Sequence, residues 1–301
     1  MSTGVESAVG TRAAQLTLAV VTDYVRLTKP RVISLLLVTT AAAMFVAADG
    51  HPDGWVVLWT LIGGYLAAGG ANAINQFVDR DIDSAMARTT ERPVVAGRVT
   101  PTRALVFGIA LGIASAVLLG LLVNWLAAGL AIVGLLVYVG VYTLWLKRNT
   151  PHNIVIGGAA GAVPPLVGWA AVTGTLSLEA WILFAIVFFW TPPHFWALAL
   201  ILKRDYSDAR VPMLPVVAGE SETRVQVVLW SFVMVGVSLL PIAAGAAGLL
   251  YFVSALALGA IFVALAIAGW REEGLVYTRH TFKYSLLYLA LLFLALVIDA
   301  L

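Results

Sequence analysis

The sequence predicts an all-α, polytopic membrane protein: nine transmembrane helices, arranged as two parallel four-helix repeats plus a ninth helix around a central cavity. Three observations carry this prediction. The 301 residues are 61% hydrophobic and only 11% charged, where a soluble domain would carry about 25% charge. Nine apolar runs have the roughly 17–25 residues a helix needs to cross a bilayer core. All eighteen lysines and arginines fall before the first run, in every second loop or, for Lys283, at the start of the last run, so one face is basic and the other has none. The positive-inside rule puts the N-terminus and the basic loops in the cytoplasm and the C-terminus outside. A missed or invented span would scatter the charge over both faces.

In chain order, residues 1–25 read as a short interfacial arm, and residues 26–301 as one membrane-embedded domain. The first run, 32–48, follows Arg26, Lys29 and Arg31; the second, 55–77, leads straight into an acidic segment. Runs 104–123 and 126–146 follow, the latter ending at Lys147 and Arg148. Run 154–172 holds the small residues Gly157 to Ala162, which let helices pack closely, and then Pro164-Pro165. In run 178–202, Pro192-Pro193 frees backbone carbonyls and predicts a kink. Runs 225–247, 249–270 and 281–298 complete the set. Period-2 alternation is missing and the runs exceed barrel strands, which leaves helices as the way to satisfy backbone groups in lipid.

The chain has no cysteine, so disulfides and thiolate metal ligands are excluded. Its acidic residues lie at helix ends or in loops, which argues against an ion-coupled transporter with ionisable groups at midplane depth. An ungapped offset of 122 residues aligns 83–97 with 205–219 at eight of fifteen positions, including both copies of Pro-Val-Val-Ala-Gly. The repeats run over about 26–147 and 148–270. Because parallel repeats commonly place a site at their interface, the loops after helices 2 and 6 are expected to face each other.

Asn72, Asn75, Asp79 and Asp83 fall within an arc of roughly 80° at about 100° per residue, while Asp81 points the other way. Carboxylates one turn apart at the mouth of a bundle suit Mg²⁺ bridging protein to a phosphorylated ligand. Arg88 and Arg92, with Lys147 and Arg148, would supply the cationic half of a diphosphate clamp. As ordinary loop charges these would be solvated; the periodicity and its second copy favour a site. In that copy Asp205 and Asp208 share a face if the helix continues. His194 takes the place of Asn72 under the offset and needs a partner. A neighbouring helix, a substrate, a haem iron or a proton would serve. His152 and Asn153 sit where either could touch a ligand.

These residues resemble the UbiA-type intramembrane prenyltransferases: nine helices, Asn75-x3-Asp79-x3-Asp83 followed by Arg88 and Arg92, and a second acidic motif after helix 6. Leu27 to Arg31, Asn72 to Phe77, Pro164 to Trp169, Thr191 to Leu198, and Asp205-Tyr206 through Pro215 resemble its haem-modifying branch. Two departures stand out: Arg210 occupies a place where glycine is expected, and the second motif is D-x-x-D. The resemblance implies Asn75, Asp79, Asp83 and Asp205 as catalytic residues, and Asp79, Asp83, Asp205 and Asp208 as Mg²⁺ ligands. It implies Asn72, Arg88, Arg92, Lys147, Arg148, Asn153, His194, Lys203 and Tyr206 as substrate contacts. The implied substrates are farnesyl diphosphate and haem b, joined at a haem vinyl group with addition of water. Tyr138, Tyr142, Phe188, Phe189, Trp190, Phe195 and Trp196 are available to shelter an allylic cation. The implied setting is a bacterial inner membrane, with lipid and, as a candidate partner, the downstream haem A synthase; nucleic acid is not expected.

Overall fold

The computed structural model describes residues 18–301, and these are helical with short connections and no strand. Nine helices among the described residues are long and apolar enough to span a bilayer. They are α1 (Pro30–Ala47), α2 (Gly54–Val78), α3 (Pro101–Leu122), α4 (Trp125–Asn149), α5 (Asn153–Thr173), α6 (Leu178–Ile201), α7 (Gly219–Ser238), α8 (Leu249–Arg271) and α9 (Val276–Asp299). The chain is a multi-pass membrane protein. Of the arm expected over 1–25, residues 1–17 lie outside those described. Residues 18–28 are helical, with Leu18, Val20, Val21 and Val25 exposed and Asp23, Leu27 and Thr28 buried. Arg98 holds this helix from the loop after α2 by donating from Nε to both Asp23 carboxylate oxygens at 3.0 and 3.1 Å.

Local chemistry explains where the spans begin. Pro30 and Pro101 sit at the first turns of α1 and α3, where the missing N–H has no helical acceptor to lose. Asp53 accepts from the Trp55 N–H at 2.7 Å and caps α2. Asn124 caps α4 by accepting from Ala127 N–H at 2.8 Å, and its Nδ2 donates to the Ala170 carbonyl at 2.8 Å, tying the start of α4 to the end of α5. The start of α8 is capped from another helix: the Gly248 and Tyr251 N–H groups donate to Asp299 at the end of α9. Asp299→Ala is expected to destabilise the protein by about 1 kcal/mol, the usual cost of a lost N-cap, measured as a lowered unfolding temperature in detergent.

Neighbouring helices pack in chain order, α9 returns to α1 to close the ring, and α1 also lies along α5. Contact is most extensive between α2 and α3, where a Cβ on Gly70 would come within 2.6 Å of the Gly108 carbonyl oxygen. The α5 and α6 spans are the most enclosed. Around them Ile186, Phe262, Tyr288, Leu292 and Phe293 form a fully buried core. Exposed leucines, valines and isoleucines cover the outer faces. Trp55, Trp125 and Trp181 at helix starts and Trp145 and Trp270 at helix ends are also exposed, the positions of interfacial belts.

The structure differs from the sequence expectation in α4. A continuous α-helix was expected over 126–146, but Val137–Leu146 is a π-helix. The proline pairs do not interrupt their helices: α5 and α6 are helical throughout. Thr191 Oγ1 donates to the Val187 carbonyl at 2.9 Å, just before Pro192-Pro193. The aligned Gly97 and Gly219 both take positive φ, +72° and +87°, so each Pro-Val-Val-Ala-Gly copy ends in a left-handed residue that glycine adopts without steric cost. Arg210 has φ +52°. The glycine expected there would suit that conformation, which an L side chain adopts only at some cost.

Candidate active site

The stripe of amides and carboxylates forms as its spacing predicts. Although α2 ends at Val78, Asp79 N–H donates to the Asn75 carbonyl at 2.8 Å, and Asp83 N–H to the Asp79 carbonyl at 2.7 Å. The helical path therefore continues through the short helix Arg80–Ser84. Asn72, Asn75, Asp79 and Asp83 are all buried, the two carboxylates with relative exposures of 0% and 2%, whereas the Asp81 side chain is 61% exposed. Arg148 grips Asp81 through both guanidinium ends at 2.8 Å. That hydrogen-bonded cation pulls the Asp81 carboxyl down to about 2.

Each inner carboxylate meets a cation. Lys147 Nζ donates to Asp79 Oδ2 at 2.5 Å, and Arg148 lies 3.6 Å from Asp79 Oδ1. Arg92 donates to Asp83 Oδ2 at 2.5 Å. Arg88 Nε stands 3.5 Å from Asp205 Oδ2, and its guanidinium lies 5.7 Å from the centre of the Tyr206 ring. Ile82, Met86, Tyr206, Val211 and Met213 form an apolar cluster below this ion pair. The loops after α2 and α6 thus face each other, joined by one ion pair and one apolar cluster.

The amides connect the stripe to α1 and α4. Asn75 Nδ2 donates to Asp79 Oδ2 at 2.7 Å and to Thr143 Oγ1 at 3.2 Å, while its Oδ1 accepts from Lys29 Nζ at 2.8 Å. Burial pushes Lys29 down to about 7; Arg92 and Lys147 act in the same direction, and Asp83 and Asp79 oppose them. Lys29 is also left-handed, with φ 55° just before Pro30. In the sequence Lys29 served to orient the protein and belonged to the Leu27 to Arg31 motif; its contact with Asn75 spans 46 residues and has no local signal.

The π-helix explains how α4 contributes. An i→i+5 helix turns roughly 80° per residue, against about 100° in an α-helix. From Tyr138 to Lys147 the π turn returns close to its starting direction, whereas an α-helix would end on the opposite face. Tyr138, Tyr142, Thr143 and Lys147 consequently share one face. The two tyrosine rings stack with centroids 5.6 Å apart, and Thr143 Oγ1 donates to the Tyr138 carbonyl at 2.9 Å, five residues back.

The other predicted residues make contacts of their own. Asn72 donates to the Thr28 carbonyl at 2.9 Å and, with Gln76, anchors the end of the 18–28 helix. Asn153 is fully buried and donates to the Thr150 carbonyl at 2.6 Å, leaving its own Oδ1 without a donor. Tyr206 is buried, and that burial raises its hydroxyl above the ordinary value. Lys203 pairs with Glu220 at 2.9 Å on the surface. Asp208 is 60% exposed and lies 3.9 Å from Arg204, one turn earlier on the same short helix Lys203–Asp208. His194 bonds through Nδ1 to Ser285 Oγ on α9 at 2.5 Å. Its ring lies between Trp190, 4.2 Å away, and Phe282, 5.1 Å away. The two pockets lined by Arg224 and Trp270 and by Glu179 and Pro241 lie elsewhere in the bundle.

A nine-helix bundle with paired carboxylates and cations gathered where two loops meet has the architecture of an intramembrane prenyltransferase. The chain belongs to the UbiA prenyltransferase family, which matches residues 36–297. A relative from Chloroflexus aurantiacus named protoheme IX farnesyltransferase is 54% identical over 97% of this chain and 50% of its own length. One of the same name from Symbiobacterium thermophilum is 53% identical over 93% of this chain and 94% of its own length. The chain therefore spans about half the length of the Chloroflexus relative and nearly all of the second. Among solved structures, a digeranylgeranylglyceryl phosphate synthase has a TM-score of 0.76 at 18% identity, over 94% of this chain and 99% of its own. A UbiA homolog from Archaeoglobus fulgidus bound to GPP and Mg²⁺ has a TM-score of 0.62 at 15% identity, over 91% and 99%. Both share the fold.

Proposed function

We propose that this chain transfers the farnesyl group of farnesyl diphosphate to a vinyl group of haem b, with addition of water, giving haem O and diphosphate. The observation that carries the diphosphate half is the set of ion pairs Asp79–Lys147, Asp83–Arg92 and Asp205–Arg88 on two loops that face each other. The haem half rests on relatives of 53–54% identity that bear the name protoheme IX farnesyltransferase.

Asp79 and Asp83 would hold Mg²⁺ together with Asp205 of the facing loop, although among the described residues no three such side chains converge on one point. Two buried carboxylates one turn apart offer a hard cation the oxygen ligands it prefers, and Asp79 Oδ1 is buried with no hydrogen-bond donor. Asp208, paired with Arg204 at the surface, is the weakest of the four expected ligands. When bound, the metal supplies charge neutralisation for the departing diphosphate. Lys147, Arg88 and Arg92 would stabilise the charge that develops on its oxygens, and Lys29 adds a fourth basic group at the same level. The stacked rings of Tyr138 and Tyr142 present aromatic faces for the allylic cation. The amides Asn72 and Asn75, with Asn153 and His194, provide polar contacts deeper in the bundle, and Lys203 and Tyr206 flank the second motif. The basic loops lie in the cytoplasm of a bacterial inner membrane, as the positive-inside rule directs, and the product passes to an enzyme that uses haem O.

Mass analysis of the product tests this reading. Purified protein given haem b, farnesyl diphosphate and Mg²⁺ is expected to yield haem gaining one farnesyl group and one hydroxyl. Prenylation of an aromatic acid with haem b left unmodified would overturn it.

A further inference from the structure

Ser285, in the middle of α9 and fully buried, has no part in the proposed chemistry, yet it holds α6 at two points. The Trp190 Nε1–H donates to its backbone carbonyl at 2.8 Å, and His194 Nδ1 meets its Oγ at 2.5 Å. A third bond decides where the protons lie: Ser285 Oγ donates to the Phe282 carbonyl at 2.6 Å. A carbonyl can only accept, and a hydroxyl has one hydrogen to give. The hydrogen between Ser285 and His194 therefore belongs to the imidazole, on Nδ1.

The two aromatic rings fix the plane of the imidazole, and Ser285 fixes its edge. No carboxylate is bonded to the ring among the described residues, and an unpaired imidazolium among Trp190 and Phe282 would be costly. In the neutral ring with Nδ1 protonated, Nε2 carries a lone pair. Nε2 has no hydrogen-bond partner and is not among the enclosed polar atoms left without one.

We propose that Ser285 is a positioning residue that locks His194 as the Nδ1–H tautomer, so that Nε2 offers its lone pair to the acceptor substrate. The group of matching chemistry on that substrate is the haem iron; this part rests on the reading of haem b as acceptor. Backbone and side-chain oxygens that take the Nδ1 proton commonly orient metal-bound histidines in this way.

The tautomer is read by ¹⁵N NMR of the full-length, histidine-labelled protein in nanodiscs, with His194→Gln assigning the signal. A protonated, pyrrole-type Nδ1 and an unprotonated, pyridine-type Nε2 are expected. Ser285→Ala should move the ring toward the opposite tautomer, and Ser285→Thr, which keeps the hydroxyl, should restore it. An Nε2–H ring in the unmodified protein, or an unchanged ring in Ser285→Ala, would overturn the lock. Titration with haem b, followed by its Soret band, tests the second half. Ser285→Ala should weaken binding roughly ten- to hundredfold, the usual effect of losing such a partner, while Ser285→Thr stays near the unmodified value. Unchanged haem affinity alongside a switched tautomer would overturn the lone-pair role. Failure of the unmodified protein to prenylate haem would instead sink the functional reading and leave the tautomer result standing.

Discussion

Asp79→Asn is expected to lower Mg²⁺-dependent diphosphate release by roughly 10²–10³-fold, the scale on which one electrostatic contributor to a transition state is felt. Asp79 is the most enclosed of the candidate ligands, and its Oδ2 already receives Asn75 and Lys147. The amide keeps an oxygen for one of these donors and preserves the shape, so the variant should still fold. Asp79→Ala separates stability from catalysis. It strands the buried Lys147 ammonium, and breaking a buried pair from one side typically costs about 3–5 kcal/mol. Its unfolding temperature should fall well below that of the asparagine variant, although it should lose at least as much activity. Turnover of Asp79→Asn within a few-fold of the unmodified protein would remove Asp79 from the proposed role.

Deleting Gly140 should be equally severe for a different reason. This residue is exposed, lies inside the π-helix, and has no neighbour that its side-chain position would touch. Its loss removes no side-chain contact but shortens the wide turn by one residue. Lys147 would then rotate by about 80° relative to Tyr138, away from Asp79. Loss of at least about 10²-fold in turnover is expected, with helix content by circular dichroism and elution volume unchanged. Adding one alanine after Leu144 in the deleted protein should return Lys147 to register and recover activity. Full activity in the deletion variant would show that the π-helix does not set the position of Lys147.

Hydropathy and charge made the spans legible because lipid imposes a length and an apolar surface on each helix separately. The buried stripe was legible for a related reason: Asn75 to Asp83 follow one helical period, and the helical hydrogen bonds continue beyond the end of α2. The π-helix left no such trace, since an i→i+5 turn uses the same apolar and aromatic residues as an i→i+4 turn. Spacing alone joined Asp208 to Asp205; the two do share one short helix, with Asp208 the more exposed at its end. His194 was recognisable as a buried polar group in need of a partner. Ser285, 91 residues away, could not be chosen from the other hydroxyls without the fold. Lys29 was hidden likewise, its left-handed backbone and its contact with Asn75 arising only when α1 meets α2.

The one-to-one matching of carboxylates and cations also governs how ligands enter. With Lys147 on Asp79, Arg92 on Asp83 and Arg88 on Asp205, each of the three carboxylates already has a cationic partner. A divalent cation arriving alone would displace positive side chains from their partners and leave them unmatched; a diphosphate alone would do the same to the carboxylates. Arriving together they permit an exchange of partners, carboxylates to metal and basic groups to phosphate, with no charge stranded. The affinities of the two ligands are then linked, and linkage is reciprocal: whatever each lends to the binding of the other is returned in equal measure.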